Sequence, residues 1–452
     1  DAKLKFRAHK IDINSNIYTA KNEVSTINGT IKENNIDLNF KSGAEISNIV
    51  RIVNAIALTF DIKDLETLKA NGKIDADFNI KSNMKTVKSS GYLKIPAAKV
   101  YYGLYDVAIN DINADIALND NNINIKNVGF SVLNQPLKFY GTIKEDATAD
   151  LHLVAQNLGL KGLIVACGQS ALLKDNKVNS GMVSLNADVV GKLNNIKPTA
   201  KITLNNLDIK NIPANTVVKL PNTIVNIISD GKTFSGNAVS TNVLAVNPAA
   251  KVSVPKLSAN IKEDVIEITQ TPVKVEKINF NLTGKIKNYM TNKIGLDFVT
   301  SGDIQSTLTG DMNVAKQTLN LNYSAQNSTI IIPMFDKSRL LFNGNIAITG
   351  SMVNPILSGT INIPVLNIPE VPVVMNDMLV KLSGPILKGN ATVNKFTSGG
   401  IVADSITTDF SMKGENFYLT NLKGNAFDGK INGNIIYNMT NAKTSINFKG
   451  EG

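Results

Sequence analysis

A chain of 452 residues that is 43% hydrophobic and 19% charged has ample apolar side chain to bury, but with no Trp and only 6% aromatics that buried surface must be built from Ile, Leu, Val and Ala. The formal charge of +10 comes from 44 lysines, scattered singly, against three arginines, Arg7, Arg51 and Arg339; nucleic-acid readers use arginine forks and a focused basic patch, so nucleic acid is not an expected partner, whereas weak attraction to anionic lipid fits as well as solvated strand faces do. The lone Cys167 forbids an intrachain disulfide and reads as a small buried hydrophobe, and no run approaches the ~18 apolar residues of a membrane span.

Asn, Lys and Ile are abundant, as an A+T-rich coding sequence would make them, so single Asn and Lys residues carry little chemical meaning by themselves. The chain opens at Asp1 without a Met or a signal-like segment, and Thr444 to Gly450 reads as a strand cut in mid-pattern. A fragment of a longer protein is expected.

In chain order, short runs alternate apolar and polar residues, the period of a strand with two unlike faces. Asn28-Gly29 is the first of five hairpin-type pairs, the others being Asn71-Gly72, Asp230-Gly231, Asn343-Gly344 and Asp428-Gly429. Ile46, Ile49, Val50, Val53 and Ala57 fall at helical spacing, and strand alternation resumes at Ile74, Ala76, Phe78 and Ile80, then at Ile112, Ala114, Ile116 and Leu118. Leu158 to Leu173 predicts a second short helix, followed like the first by a Gly-led strand, here from Gly181 through Val183 and Leu185. A proline-marked unit recurs: Gly191 through Pro198 leads into Ile202 and Leu204, Gly350 through Pro355 to Gly359 into Ile361 and Ile363, and Gly384-Pro385 to Gly389 into Ala391 and Val393. Proline cannot donate to a central ladder, so it should mark the turn or the start of the next strand. The stretch from Ile363 to Val373, with Pro364, Pro369 and Pro372, is the candidate irregular edge or boundary, and Ile431, Gly433 and Ile435 close the pattern.

The expected fold is all-β with a few short helices: about 35 to 40 short strands in an elongated, repetitive antiparallel sheet curled into a groove, with consecutive β-sandwiches as the alternative. Three stretches are expected, residues 1–180 as helix plus strand array, 181–362 as a second strand array and 363–452 as a third, together forming one continuous groove.

The cadence of short helix, Gly-led strands and Gly-x-Asn-Pro-x-x-x-Gly before another strand resembles the AsmA-like family, the TamB type included, and Leu422 through Phe427, Gly429, Ile431 and Gly433 to Ile435 looks like the strand pair of that family's carboxyl-terminal region. The resemblance implies a periplasmic segment of an inner-membrane-anchored protein of a diderm bacterium. Such a protein would conduct phospholipids between inner and outer membranes or support outer-membrane protein assembly with an outer-membrane barrel as partner. The family's amino-terminal anchor has no counterpart in this sequence.

The residues themselves support an apolar lining for acyl chains, since each buried methylene is worth about 0.8 kcal/mol without any specific contact. The candidate lining comprises Ile74, Phe78, Leu93, Ile95, Val183, Leu185, Ile202, Leu204, Ile346, Ile348, Ile361 and Ile363. The bland reading, in which the same residues fill a dry core, writes nearly the same strands. It would suit a scaffold for outer-membrane proteins or an exported β-solenoid passenger.

Catalytic chemistry has little foothold. His9 and His152 lie in strand-like runs with no nucleophile elbow, paired-His motif or Cys-x-x-Cys beside them, and Asp75 and Asp77 alternate as solvent-facing residues would. No enzyme activity, metal or cofactor is expected.

Overall fold

The computed structural model describes residues 2–451 apart from 8, 22, 34, 60–66, 84, 103–106, 133–134, 167–169, 214, 249, 332–337, 386, 439 and 442. Cys167 lies outside the described residues. The protein is all-β, its described part holding 28 strands, two α-helices and one 3-10 turn.

Two compact units of equal size divide the chain, one made of residues 1–210 and 221–236, the other of 211–220 and 237–452. The first contains β1 (Ala2–Arg7), β2 (Lys10–Ala20), β3 (Glu23–Lys32), β4 (Asn35–Glu45), α1 (Ile46–Thr59), β5 (Leu68–Ser82), β6 (Val87–Tyr102), β7 (Val107–Asn119), β8 (Asn122–Val132), β9 (Gln135–Ile143), β10 (Thr148–Gly159), α2 (Leu160–Ala166), the 3-10 turn Ser170–Leu173 and β11 (Asn176–Lys192). Residues of both units occur in β12 (Asn195–Asn211), β13 (Thr216–Ser229) and β14 (Phe234–Val246). The second contains β15 (Lys251–Lys262), β16 (Val265–Val275), β17 (Ile278–Lys287), β18 (Lys293–Gly302), β19 (Ser306–Asn313), β20 (Thr318–Ile331), β21 (Arg339–Ser351), β22 (Pro355–Ile368), β23 (Val373–Pro385), β24 (Gly389–Ser398), β25 (Ile401–Lys413), β26 (Asn416–Ala426), β27 (Gly429–Asn438) and β28 (Thr444–Glu451).

From β1 to β11, and again from β15 to β28, each strand pairs antiparallel with the next in sequence. Each unit is therefore an open meander, and none of these pairings closes a barrel.

The strands are fewer and longer than the sequence predicts, up to 17 residues, because three of the five Asn-Gly or Asp-Gly pairs are not turns. Asn28-Gly29, Asn71-Gly72 and Asn343-Gly344 lie inside β3, β5 and β21, while Asp230-Gly231 and Asp428-Gly429 do stand at turns. At position 29 the physical need is close approach: a Cβ on Gly29 would sit 2.0 Å from the Asp37 carbonyl oxygen and 2.8 Å from the Leu38 Cα. Of the repeated prolines, Pro355 opens β22, Pro385 ends β23, and Pro198 lies within β12. The proline-rich stretch is a hairpin: Pro364 is inside β22, residues 369–372 form the turn, and β22 and β23 pair as far as Ile368 and Val373.

Bulges recur within the long strands and bend them. Asp111, Asn157, Asn327, Ser405 and Asn421 each lie at a register shift with φ between 47° and 54°, a left-handed conformation that Asn and Asp tolerate better than most residues. A bulge frees a backbone N–H, and one device catches it three times. The amide of Asn157 donates to Ser184 Oγ at 3.2 Å, that of Asn327 to Asn343 Oδ1 at 2.8 Å, and that of Asn421 to Asn434 Oδ1 at 3.1 Å. Asn343 therefore caps the bulge of the neighbouring strand, which is why an Asn-Gly pair stands in the middle of β21. Asn343→Ala should destabilise the β20–β21 pair by about 1–2 kcal/mol through the orphaned amide, read as faster amide exchange at Asn327 with the rest of the unit unchanged.

Both helices occur where the spacing predicts. On α1, Val50 and Ala57 are buried, and Asn48 and Asn54 fasten it by donating to Glu23 Oε2 at 2.8 Å and to the Leu68 carbonyl at 2.9 Å. The second segment is split, since Leu158 and Gly159 finish β10 before α2 begins.

Candidate functional site: continuous apolar rows on one face

Antiparallel register places directly paired residues on the same face, so rows of neighbours can be followed from strand to strand. In the second unit one row runs across thirteen strands: Ile268, Gly284, Phe298, Leu308, Tyr323, Ile346, Gly359, Leu382, Gly389, Phe410, Leu419, Ile435 and Ile446. No charged or amide side chain interrupts it, and at ~4.8 Å per strand it measures about 58 Å along the sheet. Beside it runs Ile286, Leu296, Gly310, Leu321, Ile348, Leu357 and Gly384. The first unit has its own row across nine strands: Ile27, Phe40, Phe78, Gly91, Leu118, Ile123, Ile143, Ala149 and Gly191.

Glycines in these rows bring large side chains down onto the backbone. Phe78 lies over Gly91 and Phe298 over Gly284, where an added Cβ would come within 2.9 and 2.3 Å of the ring.

Within each unit, the residues expected to line a groove that lie on paired strands fall on the face that carries that unit's rows. Phe78 and Ile346 are in the rows, Ile348 is in the parallel row, Ile74 pairs with Ala44, Leu93 with Ala76 and Ile116, Ile95 with Ala114, and Ile361 and Ile363 pair with Val380 and Met378. Eleven of the twelve are half-buried and Val183 is buried. They are not equivalent, however. Val183, Leu185, Ile202 and Leu204 pack in one cluster with Ala155 and Leu158 and are met there by Leu160 and Leu163 of α2. Protein, not open space, covers that stretch of the face. Ile361 joins two clusters, one around Phe342 and Leu366 and one around Leu382 and Phe410.

Among the described residues, twelve of the 27 buried hydrophobics are alanines, while most large side chains of the rows are only half-buried, Leu321, Leu382 and Phe410 excepted. A filled core shows the opposite ranking, with large side chains deepest. The surface area agrees. Two separate globules sharing the chain's 48.6 kDa would together expose about 20,000 Å², whereas the protein exposes 26704 Å². That comparison holds however the units are arranged.

Charged pairs beside the rows lie on the other face. Lys81 and Asp37 pair there at 3.9 Å and Lys285 and Glu267 at 3.4 Å, and Asn39 Nδ2 donates to Asp77 at 2.9 Å. The Tyr92 phenol is held above its usual pKa by partial desolvation and then by the carboxylates of Asp75 and Asp77. His152 stands on this face too, its Nδ1 2.6 Å from Asp188 Oδ1 and its ring stacked on Tyr140 at 4.9 Å, a set of partners that fixes the ring. His9 occupies the β1–β2 turn with φ 61°. Among the described residues no three His, Cys, Asp or Glu side chains are grouped to hold a metal ion, and no helix is long and apolar enough to cross a membrane.

Residue alternation located this face, but it left out the glycines, Tyr323, Phe298, Leu308, Leu382 and Phe410, which only register connects. Comparison with family models, with curated proteins and with solved structures finds no match for this chain.

Proposed function

We propose that the chain is a lipid-binding segment of an envelope-spanning AsmA-like protein, conducting phospholipids along an apolar groove between inner and outer membranes. The observation that carries this reading is the uninterrupted apolar row across thirteen strands of an open meander, most of its large side chains half-buried and only Leu382 and Phe410 fully so. Acyl chains need that surface: continuous, aliphatic and free of fixed polar partners. About 0.8 kcal/mol per methylene holds the lipid, while the lack of any specific contact lets it slide. Head groups remain at the wet opening. The periplasmic location, the inner-membrane anchor and an outer-membrane barrel partner belong to the same proposal and rest on the family resemblance.

A dry scaffold has two observations in its favour, the cover that α2 places over Val183, Leu185, Ile202 and Leu204 and the burial of Leu382 and Phe410 within the long row. Organic extraction and mass spectrometry of the natively purified protein separate the two readings. The groove reading expects near-stoichiometric phospholipid, absent from a soluble β-protein purified from the same cells, and photocrosslinkers at Phe78 and Ile346 should capture it. A well-folded sample without lipid, crosslinking only to protein, would leave the scaffold.

A further inference from the structure

In a meander, alternate hairpin turns lie on the same margin of the sheet, and the two margins of the second unit differ. Four successive turns on one margin, joining β17 to β18, β19 to β20, β21 to β22 and β23 to β24, each present an aliphatic side chain to solvent: Met290 (62% exposed), Val314 (43%), Val353 (64%) and Leu387 (42%). Leu387 is displayed at φ 55°, a conformation costly for leucine. These turns and the strand ends beside them carry Lys287, Lys293, Lys316 and Lys388 and no carboxylate. Asp297 and Asp311, inside the strands, pair with Lys287 and Lys293 at 3.5 Å, so Lys316 and Lys388 supply the unbalanced charge. The patch is bounded, because the preceding turn on this margin holds Glu263 and Asp264 and the following one Glu415. On the opposite margin the described turns carry Glu276 beside Lys277, Asp303, Glu370 and Asp428 and expose Val371 (43%) and Phe427 (78%), so the margins differ in charge and not in the presence of apolar tips.

We infer that this basic, aliphatic-tipped margin docks on the surface of an anionic lipid bilayer. The tips stand two strands apart, about 9.6 Å, and are separated by polar residues. A protein partner wants a contiguous, desolvated patch; a fluid interface accepts separate knobs that each dip below the head groups while lysines reach the phosphates. The inference does not depend on a lipid-filled groove, since the turns lie at the margin of the sheet and not in its apolar rows.

Cosedimentation of the full chain with phosphatidylcholine vesicles, with and without phosphatidylglycerol, tests it. Binding should require phosphatidylglycerol and fall with salt as screening closes to within ~10 Å. Val353→Ser with Leu387→Ser, and separately Lys316→Glu with Lys388→Glu, should each weaken binding about tenfold or more while circular dichroism is unchanged. Val371→Ser with Phe427→Ser, on the acidic margin, should leave it intact. Equal binding to neutral vesicles, no effect of the tip variants, or the same loss from the acidic margin would overturn the inference. So would tip-dependent self-association without vesicle binding, which would make the patch a contact between two copies.

Discussion

Phe342→Ala should be among the most destabilising single substitutions in the second unit, costing about 3–5 kcal/mol. Phe342 is only 5% exposed, packs with Ala325, Leu340 and Leu366, and pairs in register with Ser328, which is fully buried. Ser328 Oγ in turn accepts from the Gln305 amide and donates to the Gln305 carbonyl, both at 2.9 Å, so the ring roofs a polar tie between β20 and the loop before β19. Removing it opens a cavity and lets water reach that tie. With two units the chain is not expected to unfold in one step, so the measurement is amide exchange by mass spectrometry on peptides from β20 to β22. Protection lost there and kept in the first unit is the expected pattern. Unchanged protection would mean that the cluster contributes little and that the ladder alone holds these strands.

Ile346→Asp should leave the fold in place and strip the lipid. Ile346 is half-buried and sits in the long row between Tyr323 and Gly359, so a carboxylate there can still reach water at the opening, yet it puts a charge where an acyl chain would lie. Phospholipid recovered per chain should fall about tenfold or more, since several methylenes lose their apolar cover at ~0.8 kcal/mol each. Asn345→Asp, one residue away on the opposite face, is the matched control and should lose none. If Ile346→Asp is folded and as lipid-loaded as the unaltered chain, the row does not hold acyl chains, and the dry scaffold becomes the better reading.

Much of the face pattern was legible in the residues. Ile74, Ala76, Phe78 and Ile80 alternate because one side of β5 meets the Phe40 row and the other meets water, and that is written in β5 alone. What the alternation could not convey was where strands end. Asn-Gly marks a turn when its residues need positive φ, but Asn343 serves as an acceptor for the Asn327 amide, and Gly29 stands where the Asp37 carbonyl leaves no room for a Cβ. Both needs arise from a neighbouring strand, so no local pattern reports them. Asn abundance, attributable to codon composition, hid the same signal: Asn157, Asn327 and Asn421 bend the sheet. The cover of α2 over Val183 and Leu185 was likewise invisible, because an apolar helix says nothing of which strand it will meet. The basic and acidic turns separate onto two margins only once the order of pairing is known.

That order of pairing has a consequence for how such a chain can change length. Because every strand in each meander runs opposite to the last, inserting or losing a complete hairpin leaves the direction of all later strands as it was, and their turns stay on their own sides. Loss of a single strand would reverse everything after it, moving Leu387 and Lys388 across to the side now held by Glu370 and Asp428. The hairpin, at about 9.6 Å, is therefore the smallest increment by which this architecture can be lengthened or shortened without scrambling its sidedness, and parity, more than sequence identity, is what a workable descendant must preserve.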